Sequence, residues 1–130
     1  MLICCVIALL FCITGNAKVP YIPKIINYSV SDYKAGNQNW AVSQGPGGKM
    51  YIGNNRGLLV FDGIHWDLVK LPNNLGVRAL YISKDGRIYV GSFEEFGYFE
   101  MDDENDLIYH SLSSSEMNVY LNNDEFWTIN

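Results

Sequence analysis

MYIGNNRGLLVFDGIHW, residues 50–66, consists of short apolar runs separated by breaks rich in asparagine and glycine. Because Asn and Gly accept the positive φ angles of hairpin turns, this spacing is typical of consecutive antiparallel strands. The stretch recurs downstream, where Ile88-Tyr89-Val90-Gly91 matches Met50-Tyr51-Ile52-Gly53 at an offset of 38 residues. A period of about 40 residues with several strands per unit is the pattern of a β-propeller blade. The sequence therefore predicts an all-β fold.

Two four-stranded blades can be placed on this repeat. Blade one spans residues 39–76, with strands at Trp40–Gln44, Lys49–Gly53, Gly57–Phe61 and His65–Leu71. Blade two spans residues 77–113, with strands at Val77–Ser83, Arg87–Gly91, Phe96–Met101 and Leu107–Leu112. We align Trp40 with Ala79 through one residue of slippage, and Gly57 with Gly97 at an offset of 40 because residues 93–96 read as a longer insert.

The segments on either side of the blades are less regular. Residues 18–38 form an extended leading segment, since Pro20 and Pro23 disfavour helix, and Ile25–Val30 alternates loosely enough to be a closing strand. Residues 114–130 comprise a polar linker and then Glu125–Asn130, which resembles another inner strand. The prediction is thus a β-propeller fragment of two four-stranded blades plus the first strand of a third, the N-terminal piece of a longer protein.

The chain opens on an apolar run, Leu2–Ile13, followed by small residues at Gly15 and Ala17. This arrangement predicts a signal peptide over residues 1–17, with an uncleaved anchor as the alternative. The three cysteines all lie within it, so the remainder has no disulfide and no thiolate ligand. We expect an exported, periplasmic protein of a bacterial envelope.

Charge and composition exclude several classes of function. The formal net charge is −5 and no basic stripe is present, which argues against direct contact with nucleic acid. His65 and His110 are the only histidines, and one histidine alone makes neither a metal site nor a catalytic triad. Glu94 and Glu95 are adjacent, so in a strand they would point to opposite faces. We predict no catalytic residue, no metal and no cofactor.

Aromatic residues are the remaining candidates for function, with three Trp, nine Tyr and six Phe in the chain. Most are expected to pack between blades, because aromatic side chains dominate such interfaces. The alternative is sugar stacking by those that reach the central opening or the upper loops. The candidate ligand-binding residues are Arg78, Tyr81, Phe93 and Phe96.

The repeat units resemble the two-component-regulator propeller family. The features that carry the resemblance are an inner strand at Trp40-Ala41-Val42-Ser43, the Tyr51-Ile52-Gly53 strand, and Gly57-Leu58-Leu59 leading to Phe61-Asp62-Gly63. Tyr51 and Tyr89 stand where that family usually has tryptophan. Residues 35–40, 54–59 and 89–98 further resemble the subgroup whose propeller precedes a triple-tyrosine module.

The resemblance implies the periplasmic sensor region of a transmembrane regulator, with a membrane helix and a histidine kinase or helix-turn-helix domain downstream. It also implies an oligosaccharide ligand, often held between propellers of a dimer, and a segment that is not itself an enzyme. Its other partners would be the remaining blades of a longer chain or a second copy, and it would meet the membrane only through downstream segments. Two alternatives stay open: an exported propeller enzyme acting on polysaccharide, such as a lyase or glycosidase, and a structural propeller.

Overall fold

The computed structural model describes residues 22–113 and 124–129. The predicted signal peptide and residues 114–123 of the predicted linker lie outside these ranges. One short helix, α1 (Val30–Tyr33), precedes the strands. The strands are β1 (Asn39–Gln44), β2 (Met50–Asn54), β3 (Gly57–Phe61), β4 (Trp66–Val69), β5 (Ala79–Ile82), β6 (Ile88–Gly91), β7 (Phe96–Met101) and β8 (Leu107–Ser111). Within the described ranges, no helix is long and apolar enough to cross a bilayer.

The strands form two separate four-stranded antiparallel sheets, β1-β2-β3-β4 and β5-β6-β7-β8, each in chain order. The prediction of an all-β fold with two blade-like units is confirmed. Blade two begins later than predicted, at Ala79, because Val77 and Arg78 donate their backbone N–H groups to Asn54 O (2.9 Å) and Gly91 O (2.8 Å) as the chain enters β5.

The register of the two sheets corrects the alignment of the repeat. Gly53 pairs with Leu58 and Gly91 pairs with Phe96, so β2 and β3 match β6 and β7 at one constant offset of 38. Ala41 likewise corresponds to Ala79, since they pair with Gly53 and Gly91. The expected slippage and the offset of 40 are therefore wrong. Matching glycine to glycine misled the alignment, because Gly97 occupies the position of Leu59.

The additional length of blade two lies in the outer hairpin instead. Leu59 of β3 pairs with Leu68 of β4, whereas its counterpart Gly97 of β7 pairs with Ser111 of β8. Ser111 follows Leu68 by 43 residues, so β8 lies five residues beyond the offset of 38. These residues belong to the acidic turn between β7 and β8. Asp102 Oδ1 organises this turn by accepting hydrogen bonds from the backbone N–H groups of Glu104 (2.9 Å) and Asp106 (2.8 Å).

The leading segment contains a helical turn where a strand was considered. Residues 22–29 have no regular structure and Val30 starts α1, so Ile25–Val30 forms no strand within the described residues. Asp32 accepts from Ser29 N (2.6 Å) and from Ser29 Oγ (2.7 Å), which holds the chain in a turn at the point where a strand would have to continue. Local capping by these polar side chains outweighs the apolar alternation before them.

The leading segment packs on the outer part of blade one. The rings of Tyr28 and Trp66 meet edge to face at 5.2 Å between centroids, and Tyr33 lies 5.6 Å from Trp66. Trp66 in turn stacks on Phe61 at 4.4 Å. This aromatic contact covers the face of blade one that points away from blade two.

The hydrophobic core lies between the two sheets. Its buried members come from both blades and from the connection between them: Tyr51, Leu58, Val60, Leu71, Val77, Ile88, Val90 and Phe99. Gly53 lets the second blade approach closely, because a Cβ there would lie 2.9 Å from both Val77 Cγ1 and Val77 O. The inner strands β1 and β5 thus run side by side at one edge of the core.

Residues 124–129 contribute one isolated bridge, between Phe93 and Glu125, and no strand. The predicted first strand of a third blade is therefore not formed in the described part of that segment. Its position nevertheless repeats the start of blade two. Phe126 N–H donates to Ser92 O (3.0 Å) and Phe126 packs on Gly91, as Val77 does with Asn54 and Gly53.

Candidate functional site

The connections β2–β3, β4–β5 and β6–β7 lie at the same end of the two sheets, and we call this end the upper face (residues 54–57, 71–76 and 92–95). Antiparallel strands in chain order place alternate connections at opposite ends, so this follows from the topology. The inner strands β1 and β5 begin at this end. Loops on a rigid scaffold commonly carry binding residues, so the upper face is a candidate binding surface.

Asn54 fixes the upper face of blade one. Its carboxamide is fully buried; Nδ2 donates to Gly36 O (2.7 Å) and Asn39 Oδ1 (2.7 Å), and Oδ1 accepts from Gly36 N (3.0 Å) and Arg56 N (3.0 Å). One side chain therefore joins the leading segment, the start of β1 and the β2–β3 turn. The equivalent Ser92 makes a simpler contact, donating from Oγ to Gly76 O (2.5 Å).

Three side chains meet at the inner edge of the upper face, and we call them the inner-edge cluster: Trp40, Arg78 and Trp127. Trp40 and Arg78 occupy equivalent positions at the start of successive inner strands, one residue before Ala41 and Ala79. Trp127 follows Phe126 as Arg78 follows Val77. The blade repeat therefore brings into contact three residues that stand at equivalent positions, at the starts of β1 and β5 and in the segment that follows blade two.

Arg78 packs against both indoles, which also contact each other. Its guanidinium carbon is 4.3 Å from the ring centroid of Trp40 and 5.3 Å from that of Trp127, and the two indoles meet edge to face at 5.6 Å. Such distances give favourable cation–π contacts. Nη2 lies 3.6 Å from Glu125 Oε1, while the buried Nη1 has no hydrogen-bond partner among the described residues. The cluster is thus a cation in contact with two indole rings that meet each other edge to face.

Of the four predicted site residues, three lie near one another. Arg78 belongs to the inner-edge cluster, Phe93 bridges to Glu125, and Phe96 packs on Phe126 at 5.1 Å between ring centroids. Tyr81 is separate: it lies in the middle of β5, 6.4 Å from the ring of Tyr89.

Tyr81 belongs to a row of aromatic rings that crosses blade two. Directly paired positions on β5, β6, β7 and β8 carry Tyr81, Tyr89, Tyr98 and His110. Tyr89 and Tyr98 lie 5.6 Å apart, and Tyr98 stacks on His110 at 5.0 Å. The matching row of blade one contains Tyr51 and Val60, which are buried against blade two. By this equivalence the tyrosine row lies on the sheet face turned away from blade one.

Sequence reasoning missed Trp40, Trp127 and Glu125 as site residues. The constant offset of 38 identifies Trp40 with Arg78. Trp127 lies 49 residues after Arg78, and the hydrogen bond from Phe126 N to Ser92 O brings it to the equivalent position. The alignment of Trp40 with Ala79 hid the equivalence of Trp40 and Arg78.

Two pockets of opposite charge lie on the upper face, on either side of the β4–β5 connection. The first, of about 420 Å³, is lined by Asn55, Arg56, Lys70 and Asn74. The second, of about 310 Å³, is lined by Asn73, Leu75, Phe93, Glu94, Glu95 and Ser113. The offset of 38 makes Arg56 and Glu94 equivalent, so the two blades present a cation and an anion at the same point of the turn.

Glu95 is held firmly in the acidic pocket. Its Oε1 accepts hydrogen bonds from Tyr109 Oη (2.7 Å) and Ser111 Oγ (2.6 Å). Burial raises the pKa of Tyr109 well above its usual range, and the hydrogen bond to the Glu95 carboxylate adds to this rise. Tyr109 therefore stays a neutral donor to Glu95 throughout the physiological range of pH.

A third pocket, of about 490 Å³, lies at the opposite end of the sheets, between the β1–β2 and β5–β6 turns. Its charges are largely internally paired, since Arg87 Nε lies 3.2 Å from Glu100 Oε2 and Arg87 Nη1 lies 3.6 Å from Asp85 Oδ2. Among residues 22–113 and 124–129, no group of three or more His, Cys, Asp or Glu side chains is arranged to hold a metal ion.

The family model described as the two component regulator propeller matches residues 70–94. The match runs from the end of blade one through the β4–β5 connection and strands β5 and β6 into the β6–β7 turn, and so includes Arg78, Tyr81 and Phe93. Searches of curated proteins and of solved structures gave no match. The matched segment, 25 of the 130 residues, is similar to this family, and together with the two blade-like sheets it supports a β-propeller fragment of a regulator-type family.

Proposed function

We propose that this chain contributes to the ligand-sensing propeller of an exported transmembrane regulator, that it is not catalytic, and that its ligand is an oligosaccharide. The upper face binds the ligand, and a longer chain transmits the signal to a kinase or DNA-binding domain. The regulator-type family match and the repeated blades support the sensory role. The apolar run at residues 2–13 supports export to the periplasm.

The inner-edge cluster is the observation that carries the proposal. Trp40 and Trp127 are 39% and 55% exposed, so indole surface is open to solvent beside the Arg78 guanidinium. Aromatic faces provide flat apolar area for the C–H side of a sugar ring, and Arg donates hydrogen bonds to its oxygens.

The proposal is tested by measuring oligosaccharide binding to the full-length chain by calorimetry. We expect Trp40→Ala to weaken binding by about tenfold or more, in line with the ~1–3 kcal/mol that a stacking aromatic contributes. Trp66→Phe is the matched control, because Trp66 packs against Tyr28 and Phe61 on another face and should leave the affinity unchanged. A Trp40→Ala variant that binds as tightly as the wild type would refute a role for the inner-edge cluster.

A further inference from the structure

The first upper-face pocket, which we call the cationic pocket, carries two positive charges without a carboxylate. Its lining residues are Asn55, Arg56, Lys70 and Asn74. Every ion pair within the described ranges lies elsewhere; Arg78 and Arg87, for example, are paired with Glu125, Asp85 and Glu100. In a chain of net charge −5, two neighbouring cations that face a pocket without a counter-ion are unusual.

The backbone fixes the positions from which the Arg56 and Lys70 side chains extend. Arg56 lies on the β2–β3 turn, whose geometry is set by the hydrogen bond from Arg56 N to the buried Asn54 Oδ1 (3.0 Å). Lys70 follows β4 and approaches the same turn closely, because Gly57 has no side chain; a Cβ there would lie 3.3 Å from Lys70 Cα. The backbone of two neighbouring segments therefore fixes the points from which the two exposed cationic side chains extend around the pocket.

We propose that the cationic pocket binds the anionic group, a carboxylate or a sulfate, of an acidic oligosaccharide. The inference rests on the proposed function and names the class of sugar that the upper face selects. Arg56 supplies the planar fork of donors that matches both groups, Lys70 supplies a second charge, and the amides of Asn55 and Asn74 supply neutral polar contacts. A pocket lined by charges of one sign also concentrates ligands of the opposite sign.

The equivalent pocket of blade two provides an internal contrast. There Glu94 is equivalent to Arg56, and Glu95 is equivalent to Gly57, at the offset of 38. Because β8 is displaced by five further residues, the residue equivalent to Lys70 is Ser113. The same fold position is thus cationic in one blade and acidic in the next. Selection of an anion by the upper face is therefore assigned to blade one.

The test compares tetragalacturonate with its methyl ester, which has the same sugar rings without the charge, and with a sulfated galactose tetrasaccharide. Each is titrated by calorimetry into the full-length chain. We expect one or both acidic sugars to bind more tightly than the ester, with an affinity that falls as salt rises. Arg56→Gln and Lys70→Gln should each weaken acid binding by about tenfold, as expected for a charge-assisted hydrogen bond, without affecting the ester.

Lys84→Gln is the matched control, because it removes the same charge from an exposed turn at the opposite end of the sheets. Equal affinity for acid and ester, or equal behaviour of Arg56→Gln and Lys84→Gln, would overturn the assignment of the cationic pocket. Ester binding that is lost in Trp40→Ala would meanwhile uphold the proposed function. If none of the three sugars binds, both proposals fail.

Discussion

Asn54 shows how one residue can order an entire end of a blade. It is buried, and its carboxamide bonds to backbone groups in the leading segment and in the β2–β3 turn. Buried polar groups that are fully hydrogen-bonded specify a unique arrangement, whereas loss of one partner leaves the others unsatisfied. The residue thus supports the turn that carries Arg56, one of the two cations of the cationic pocket.

Replacement of Asn54 by alanine should therefore be costly. We expect Asn54→Ala to lower the free energy of unfolding by about 2–4 kcal/mol, because Gly36 and Arg56 lose their buried partner and a cavity remains. Urea denaturation followed by circular dichroism measures this change. Asn37→Ala, at an exposed position beside the same segment, is the control and should change stability by less than about 0.5 kcal/mol.

Asp62 gives the fold a specific response to acid. Hydrogen bonds from the backbone N–H groups of His65 and then Ile64 lower its pKa to about 2. A carboxylate with a lowered pKa stabilises the folded state above its unfolded pKa, about 3.8, and this contribution disappears as pH falls toward 2.

The loss of stability between about pH 4 and pH 2 should be smaller in Asp62→Asn than in the wild type, since the amide keeps the acceptor and does not titrate. The measurement is the urea midpoint at a series of pH values. Asp103→Asn, in the exposed β7–β8 turn, should behave as the wild type. Identical acid profiles for Asp62→Asn and the wild type would contradict this account of Asp62.

Strands β1 and β5 can lie side by side because Gly53, on the neighbouring strand β2, leaves room for Val77, which leads into β5. Gly53 on β2 faces Val77, and Gly91 on β6 faces Phe126, at equivalent positions. A methyl group at Gly53 would lie too close to the Val77 side chain and carbonyl for either to stay in place.

We therefore expect Gly53→Ala to destabilise the chain by about 1–3 kcal/mol, the usual cost of overpacking a core. Thermal or urea denaturation provides the measurement. Val42→Ala, at a position of β1 that is 66% exposed, should have little effect and serves as the control. A neutral Gly53→Ala would mean that the blades can move apart without loss of packing.

The strands could be predicted from the sequence, because asparagine or glycine marks most of the turns and the 38-residue repeat relates β1, β2 and β3 to β5, β6 and β7. The register of β7 could not be predicted, because the sequence favours matching Gly97 with Gly57. In the structure Gly97 occupies the position equivalent to Leu59 of blade one. The helical turn α1 was missed because its cause is a local bond between Ser29 and Asp32. The inner-edge cluster depended instead on the alignment of β1 with β5, in which Trp40 is equivalent to Arg78, and Arg78 was the one member predicted.

The whole molecule shares one core, to which both sheets contribute. Neither sheet is covered without the other, so we expect both to unfold in a single transition. In a Trp40→Phe, Trp127→Phe background, Trp66 fluorescence reports on blade one, and far-ultraviolet circular dichroism reports on all strands. The two signals should give the same urea midpoint.

Phe99→Ala should shift that shared midpoint by an amount equivalent to about 3–5 kcal/mol, since Phe99 lies in blade two but is fully buried against the common core. Both probes should move together, including the Trp66 signal from the other sheet. If Trp66 kept its original midpoint while circular dichroism changed, the blades would be independent units.

The packing of Tyr28 and Tyr33 on Trp66 gives the stack of sheets a direction. Another sheet that approached blade one from that side would first have to displace the leading segment and its aromatic contacts. On the opposite side, no described residue covers the tyrosine row of blade two as Tyr28 and Tyr33 cover Trp66, and Phe126 follows the path of an incoming inner strand. The two outer faces of the pair of sheets therefore differ: the leading segment covers the face of blade one, and the tyrosine rings of blade two face outward.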